Sequence, residues 1–158
     1  MAMRSYLRKL EDGDIPLMRE WLYKPYVLRW FERPEDWLFE MRERNGEFSF
    51  VHHFIAMLND EAFGFGQFYD CFDAKEDWYD VKQQGEAFSI DYMIGKESFL
   101  NQGFGKEIVM MLLEKIKQFP NAKVVIVQPE KENLASCKLL LGCGFVFHEE
   151  KQYYEKVL

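Results

Sequence analysis

Gly95-Lys-Glu-Ser-Phe-Leu-Asn-Gln-Gly103-Phe-Gly105-Lys106 joins an apolar run, Ala87 to Ile94, to a second run of different period. Ala87–Ile94 reads as a strand. From Gly103 onward, Ile108, Val109, Met111, Leu112, Leu113 and Ile116 recur at helical spacing. The chain therefore passes from strand to helix through a turn that carries glycines. A helix N-terminus offers unpaired N–H groups and the positive end of the helix dipole, which together attract an anion. Glycines at 103 and 105 let bare main chain approach a phosphate, and Gln102 and Lys106 add donors. A P-loop requires glycine where Leu100 stands and Ser or Thr where Glu107 stands. The dinucleotide fingerprint requires a third glycine where Ile108 stands. The turn is either a cradle for another phosphate-bearing ligand or simply a tight turn.

Working outward, Pro120-Asn121 ends the helix, Lys123–Gln128 reads as a buried strand, Asn133–Leu141 as a helix and Tyr153-Tyr154 as a last strand. Upstream, Phe48–Leu58 and Phe63–Phe72 read as two strands around the turn Asn59-Asp60-Glu61. Gly64 and Gly66 suggest a bulge or a close backbone approach. The first strand is Ser5–Leu10. A helix follows from Asp12 or Asp14 to Tyr23, with Pro16 in its first turn, and another opens at Pro34-Glu35-Asp36 and carries Trp37, Leu38 and Met41. A meander plus one strand–helix–strand crossover makes an α/β (α+β mixed) fold, with residues 1–158 as one domain.

At 158 residues, 48% hydrophobic and 30% charged, the chain has the balance of a globular domain rather than a disordered one. A net charge of −7 without a basic stripe argues against nucleic acid and favours a cationic ligand. Cys71, Cys137 and Cys143 have no CxxC spacing and no histidine at ligand distance, so no metal and no disulfide framework is expected. Cys137 and Cys143 read as core fillers, and of His52-His53 one ring should point inward. No apolar run approaches the roughly 18 residues that cross a membrane, and no signal peptide is legible, so the expected compartment is the cytoplasm. Monomer and homodimer remain open.

The strand Ser89-Ile-Asp-Tyr-Met-Ile94 followed by Leu100-Asn-Gln-Gly-Phe-Gly105 resembles the acetyl-CoA motif of the GNAT acetyltransferases, with Leu100 where a polar residue is usual. Gln128-Pro129…Asn133-Leu-Ala-Ser136…Gly142-Cys-Gly144-Phe145 is similar to the family's second conserved segment. The resemblance implies a GNAT fold, a central twisted mixed sheet of six or seven strands flanked by helices, with acetyl-CoA as co-substrate in a cleft between splayed strands. It implies that main chain at Met93 and Ile94 meets the pantetheine arm, one N–H polarising the thioester carbonyl. Main chain from Gln102 through Gly103, Phe104 and Gly105 to Lys106 would hold the pyrophosphate, and Asn133 the pantetheine.

Leu7-Arg-Lys-Leu, Glu20-Trp-Leu, Ile55-Ala-Met-Leu-Asn59, Gly64-Phe-Gly-Gln67, Trp78-Tyr79 and Ile90-Asp91 narrow the resemblance to aminoglycoside 6'-N-acetyltransferases. Siderophore-biosynthesis acyltransferases share much of the layout. Between Asp70 and Asp91, seven carboxylates face two lysines, a net of −5 around Trp78 and Tyr79. Such a segment is either a solvated acidic loop or a receiver for a polycation. In the family, residues matching Glu76, Trp78 and Asp80 lie beside the aminoglycoside. A lysine-like amine is about 99.9% protonated at pH 7, so direct attack on a thioester in a ternary complex needs a base. Asp91 is the candidate. The family's usual acid, a tyrosine seven residues after the asparagine, is Leu140 here, leaving water, Tyr153, Tyr154 or the acceptor's own proton. Rival acceptors are a protein N-terminus or a siderophore precursor, and a rival class is a silent acyl-CoA sensor.

Overall fold

The computed structural model describes residues 5–158, so the first four residues of the expected 1–158 domain lie outside the described ones. Seven strands form one sheet: β1 (Ser5–Lys9), β2 (Val51–Leu58), β3 (Glu61–Asp70), β4 (Ala87–Ile94), β5 (Val124–Val127), β6 (Val146–His148) and β7 (Tyr153–Val157), in spatial order β1-β2-β3-β4-β5-β7-β6. All neighbours are antiparallel except β4 and β5. The helices are α1 (Ile15–Leu22), α2 (Pro25–Leu28), α3 (Pro34–Arg42), the single turn α4 (Cys71–Ala74), α5 (Phe104–Ile116) and α6 (Leu134–Gly142).

Strand alternation splits the core into two layers. Phe54, Ala56, Phe88 and Ile90 pack under α5 with Ile108, Leu112 and Leu140. Ile55, Met57, Phe65 and Met93 pack on the other face against Met18, Trp21, Leu22, Leu38 and Met41 of α1 and α3. Both expectations for the β3 glycines hold. The register of β2 and β3 shifts where Ala56 pairs Gly64 and Met57 pairs Ala62, so Phe63 is the bulged residue. A Cβ on Gly66 would stand 2.9 Å from Ile108, and one on Gly64 would stand 3.0 Å from Ile108 and 2.6 Å from the Met93 carbonyl. Without side chains there, α5 settles directly onto the sheet.

Some boundaries differ from the sequence reading. Phe48–Phe50 lie in turns, so β2 begins at Val51, and the β2–β3 turn is only Asn59-Asp60, with Glu61 already in β3. Cys71-Phe72 leave the strand because the Asp70 carboxylate accepts from the Phe72 amide and caps α4. β6 was not anticipated; three residues at a sheet edge are too few to show alternation. Cys143 is buried as expected, whereas Cys137 is half-buried and no core filler. His53 is the inward ring, and His52 lies exposed against Phe68.

Candidate active site

The parallel pair β4–β5 holds register at only two positions, Ala87 with Val124 and Phe88 with Val125. On its other side β4 stays paired with β3 through Ile94. From Ser89 onward one edge of β4 therefore has no strand partner, and the sheet opens there. The opening leads into a cavity of about 490 Å³ lined by Tyr92, Met93 and Ile94 of β4, by Gly103 to Lys106, by Asn133, Ala135, Ser136 and Leu139, and by Tyr26, Val27, Trp30 and Phe31 of the α2 region.

Gly103 is the N-cap of α5, at φ 86°, and no side chain caps that end. A Cβ on Gly103 would meet nothing within 4 Å. Main-chain N–H groups of the first turn thus face open space, as a diphosphate would require. The Gln102 side chain instead donates to the Ser98 carbonyl, and Gln102 is not among the residues that line the cavity. Lys106 lines the cavity. Asn133 accepts from the Ser136 amide (3.2 Å) and caps α6 with its Oδ1, leaving Nδ2 as its remaining donor. The Met93 side chain belongs to the α1–α3 core, so only its main chain serves the cleft. The Ile94 carbonyl already accepts from Tyr26 Oη (2.8 Å). These residues fit a long ligand with an anionic head and an amide-bearing arm.

Two smaller cavities, of about 280 and 400 Å³, continue the opening onto the α1–α3 face. They share Trp37, Tyr69, Glu76 and Asp91; Trp78 lines the first and Glu40 the second. Glu40, Glu76, Asp91 and Glu130 line them, and among the described residues no lysine or arginine does. Crowding carboxylates in a partly dry site disfavours their charge. Asp91 is pushed up to about 6 by burial, with the Gln67 hydrogen bond opposing and the Glu76 charge adding. Glu40 is pushed up to about 7 by burial and by the charges of Asp91, Glu76 and Asp36. The Tyr69 hydroxyl, kept protonated by burial, donates to Glu76 Oε1 (2.6 Å).

Asp91 is held from the neighbouring strand by a single side chain. His53, Gln67 and Asp91 occupy paired positions on β2, β3 and β4, and Gln67 Nε2 donates to Asp91 Oδ2 (2.8 Å). Burial holds the His53 ring neutral, its pKa pushed down to about 4. The acidic loop is pinned at both ends: Asp70 accepts from the Phe72 and Gly85 amides, and Tyr79 Oη donates to the Cys71 carbonyl. Asp70 is therefore an anchor. Asp80 is not brought to the cavities with Glu76 and Trp78. It is exposed, pairs with Lys82 at 3.6 Å, and lines a separate groove with Lys123 and Lys151.

The sequence reading missed Glu40, which shares one face of α3 with Trp37 three residues earlier. It also missed Tyr92 and Ser136. Leu140 is fully buried in the α5 core, and Tyr153 and Tyr154 sit on β7, two strands from β4 and outside all three cavities. Among the described residues no cluster of three His, Cys, Asp or Glu side chains is placed to hold a metal ion, and no helix is long and apolar enough to cross a membrane.

A parted strand edge beside an uncapped, glycine-lined helix N-terminus is the architecture of an acyltransferase that takes its acyl group from coenzyme A. The chain belongs to the GNAT family: the description "Acetyltransferase (GNAT) domain" matches residues 11–153, and the protein is an acetyl-CoA-dependent N-acetyltransferase. It is 24% identical over 145 residues to the aminoglycoside N(6')-acetyltransferases type 1 of Klebsiella pneumoniae and Serratia marcescens, covering 88% of this chain and 72% of each of those. Its fold matches the aminoglycoside acetyltransferase AAC(6')-Ib in complex with coenzyme A and kanamycin with a TM-score of 0.81, at 24% identity over 98% of this chain and 95% of that one. The aminoglycoside N(6')acetyltransferase of Legionella pneumophila matches with a TM-score of 0.69, at 17% identity over 100% of this chain and 93% of that one.

Gly103→Val places a β-branched side chain in the open cradle and at a positive φ that disfavours it. Coenzyme A affinity, measured by calorimetry, should fall at least about tenfold, and the thermal shift produced by saturating coenzyme A should shrink with it.

Proposed function

We propose that the protein transfers acetyl from acetyl-CoA to a primary amine of a small polycationic, aminoglycoside-like acceptor, by direct attack in a ternary complex. The observation that carries this reading is the lining of the two acceptor-side cavities: carboxylates and aromatic rings, with no lysine or arginine among the described residues. Such a surface concentrates a polycation electrostatically and supports its rings on Trp37 and Trp78. The naming of the curated relatives as aminoglycoside N(6')-acetyltransferases supports the same class.

In this scheme Asp91 receives one proton of the acceptor ammonium. The neutral amine then attacks the thioester carbonyl carbon, whose oxygen is met by a main-chain N–H of β4 near Met93 or Ile94. Glu76 and Glu40 hold further ammonium groups, and main chain from Gln102 to Lys106 holds the pyrophosphate. Asn133 holds the pantetheine arm. Asp80 takes its place at the outer rim of the loop, where it adds to the long-range field.

The test is a panel of aminoglycosides, polyamines and peptides with acetyl-CoA, read by thiol release. Kanamycin-type acceptors bearing a 6'-amine should outpace simple diamines and peptides in kcat/KM. Preference for a peptide N-terminus would replace this acceptor class with a protein one, and a flat response across all amines would leave the reading without support. Trp78→Ala should raise acceptor KM about five- to tenfold while changing acetyl-CoA KM less than twofold, because one aromatic support is worth about 0.5–2 kcal/mol. Raised salt should raise acceptor KM in the parent by screening the carboxylates.

A further inference from the structure

The donor cavity and the first acceptor cavity share five lining residues: Trp30, Phe31, Tyr92, Asn133 and Ser136. Acyl transfer must happen at that junction, where one substrate ends and the other begins. Tyr92 and Ser136 carry the only hydroxyls among the five, and their oxygens are 2.6 Å apart in a hydrogen bond that either group can donate. Alternation along β4 puts Asp91 on the α1–α3 face and Tyr92 on the α5–α6 face, where it packs against the cluster that contains Phe88, Ile90 and Leu140. The base candidate and this hydroxyl therefore lie on opposite faces of the same strand, and both line the first acceptor cavity.

We infer that the Tyr92 hydroxyl, oriented by Ser136, donates a hydrogen bond to the departing coenzyme A sulfur. A phenol of pKa about 10 holds its proton more tightly than a thiol of about 8.5, and burial raises Tyr92 further. Tyr92 accordingly stabilises a thiolate rather than surrendering its proton. The C–N bond forms, the C–S bond breaks, and its electron pair goes to sulfur. One ammonium proton passes through Asp91 to solvent, and the regenerated Asp91 carboxylate takes the second from the nitrogen as the adduct collapses. The thiolate is protonated after release. Tyr92 thus supplies at β4 what Leu140, buried and apolar, does not supply from α6. The inference rests on the acetyl-transfer reaction and not on the identity of the acceptor.

Tyr92→Phe keeps the ring and removes only the donor. Its kcat on the best acceptor should fall about tenfold to a hundredfold, the scale of one hydrogen bond to a charged group, with acetyl-CoA KM within about twofold. The second readout needs no acceptor. The ultraviolet absorbance of enzyme-bound coenzyme A thiolate, titrated against pH, should report a thiol pKa about one unit higher in the variant. Replacing Tyr92 by 3-fluorotyrosine, a better donor of nearly the same shape, should move that pKa the other way, and it decides the matter if the Phe variant folds poorly. Ser136→Ala should have a smaller effect than Tyr92→Phe. A Phe variant with kcat within twofold of the parent, a thiol titration that does not move in either variant, or a larger loss in Ser136→Ala overturns the assignment. A parent that acetylates no aminoglycoside overturns the acceptor class alone, and the titration still decides Tyr92.

Discussion

Asp91→Asn is expected to lower kcat by about 10²–10³, within the span of general-base contributions, while the protein becomes more stable at pH 7. The two effects have one cause. Asp91 is a carboxylate lifted to about 6 by burial and by the Glu76 charge, which is what makes it able to take a proton from an ammonium near neutrality. The same environment penalises its charged form in the folded protein. Asn keeps an oxygen to accept from Gln67 and removes the charge. Because the folded pKa lies above the unfolded one, about 3.9, the folded state binds the extra proton between about pH 4 and 6. The stability of the parent therefore falls as pH rises through that window and stays lowered at pH 7. Two units correspond to at most about 3 kcal/mol, and partial solvent access reduces this to about 1–2 kcal/mol. Urea denaturation should find parent and variant separated at pH 7 and converging near pH 4. Coenzyme A affinity should stay within twofold. An unchanged kcat would remove Asp91 from the mechanism; equal stability at pH 7 would mean that its carboxylate carries no such strain.

The pH profile follows from the same shifts. In the free enzyme Asp91 must be ionised to accept a proton, and Glu40, lifted to about 7, must be ionised to attract a cation. The kcat/KM of the parent should therefore climb across pH 6 to 7. Once a polycation is bound, its charges favour both carboxylates and lower their pKa values, so the acid limb of kcat should lie below that of kcat/KM. Asp91→Asn should lose the limb near 6 and keep the one assigned to Glu40, moved to lower pH because the Asp91 charge that helped raise it is gone. A kcat limb above the kcat/KM limb would mean that the acceptor arrives uncharged.

What the sequence displayed and what it hid divide along the distance between residues in the chain. The stretch from Ala87 to Ile116 was legible because a strand, a glycine turn and a helix are local patterns, and the structure reproduces Ala87–Ile94 as read. Asn133 was legible as the start of the 133–141 helix, and the structure makes it the cap whose Oδ1 accepts from the Ser136 amide. The convergence of Glu40 with Asp91 was not legible, because 51 positions separate them and only the packing of α3 on the sheet brings them to one cavity. Asp80, matched with Glu76 and Trp78 by resemblance, does not share their cavities. It belongs to the acidic run, yet Tyr79 and Asp70 pin the loop so that Glu76 and Trp78 line the cavity while Asp80 pairs with Lys82. The Leu140 substitution was visible, but its consequence was not. A leucine there fills the α5 core, and the hydroxyls nearest the junction come from β4 and the first turn of α6.

Gly95→Ala should be the most damaging small substitution in the fold, and the reason lies at the end of β4. The Gly95 amide donates to the Phe63 carbonyl (2.9 Å), and its own carbonyl accepts from Lys24 Nζ (2.9 Å) and Tyr26 Oη (3.0 Å). The backbone is thus held from three directions. Directly over its Cα lies the indole of Trp21, 3% exposed, and an added Cβ would stand 2.0 Å from Trp21 Cδ2 and 2.4 Å from Cγ and Cε2. A flexible chain end could move aside; a buried ring wedged among α1 and α3 cannot do so without opening the core around Met18 and Leu22. Overpacking of this kind costs about 3 kcal/mol, which for a chain of this size lowers Tm by about 6–12 °C. The damage should also reach the donor cavity, because Tyr26 and Ile94 both line it and the Gly95 contacts fix their spacing. Trp21→Leu alone should destabilise by leaving a cavity, yet combined with Gly95→Ala it should cost less than the sum of the two, since each change makes room for the other. Additive losses would show that the strand end moves instead of the ring. In that case coenzyme A affinity, rather than Tm, should carry most of the effect.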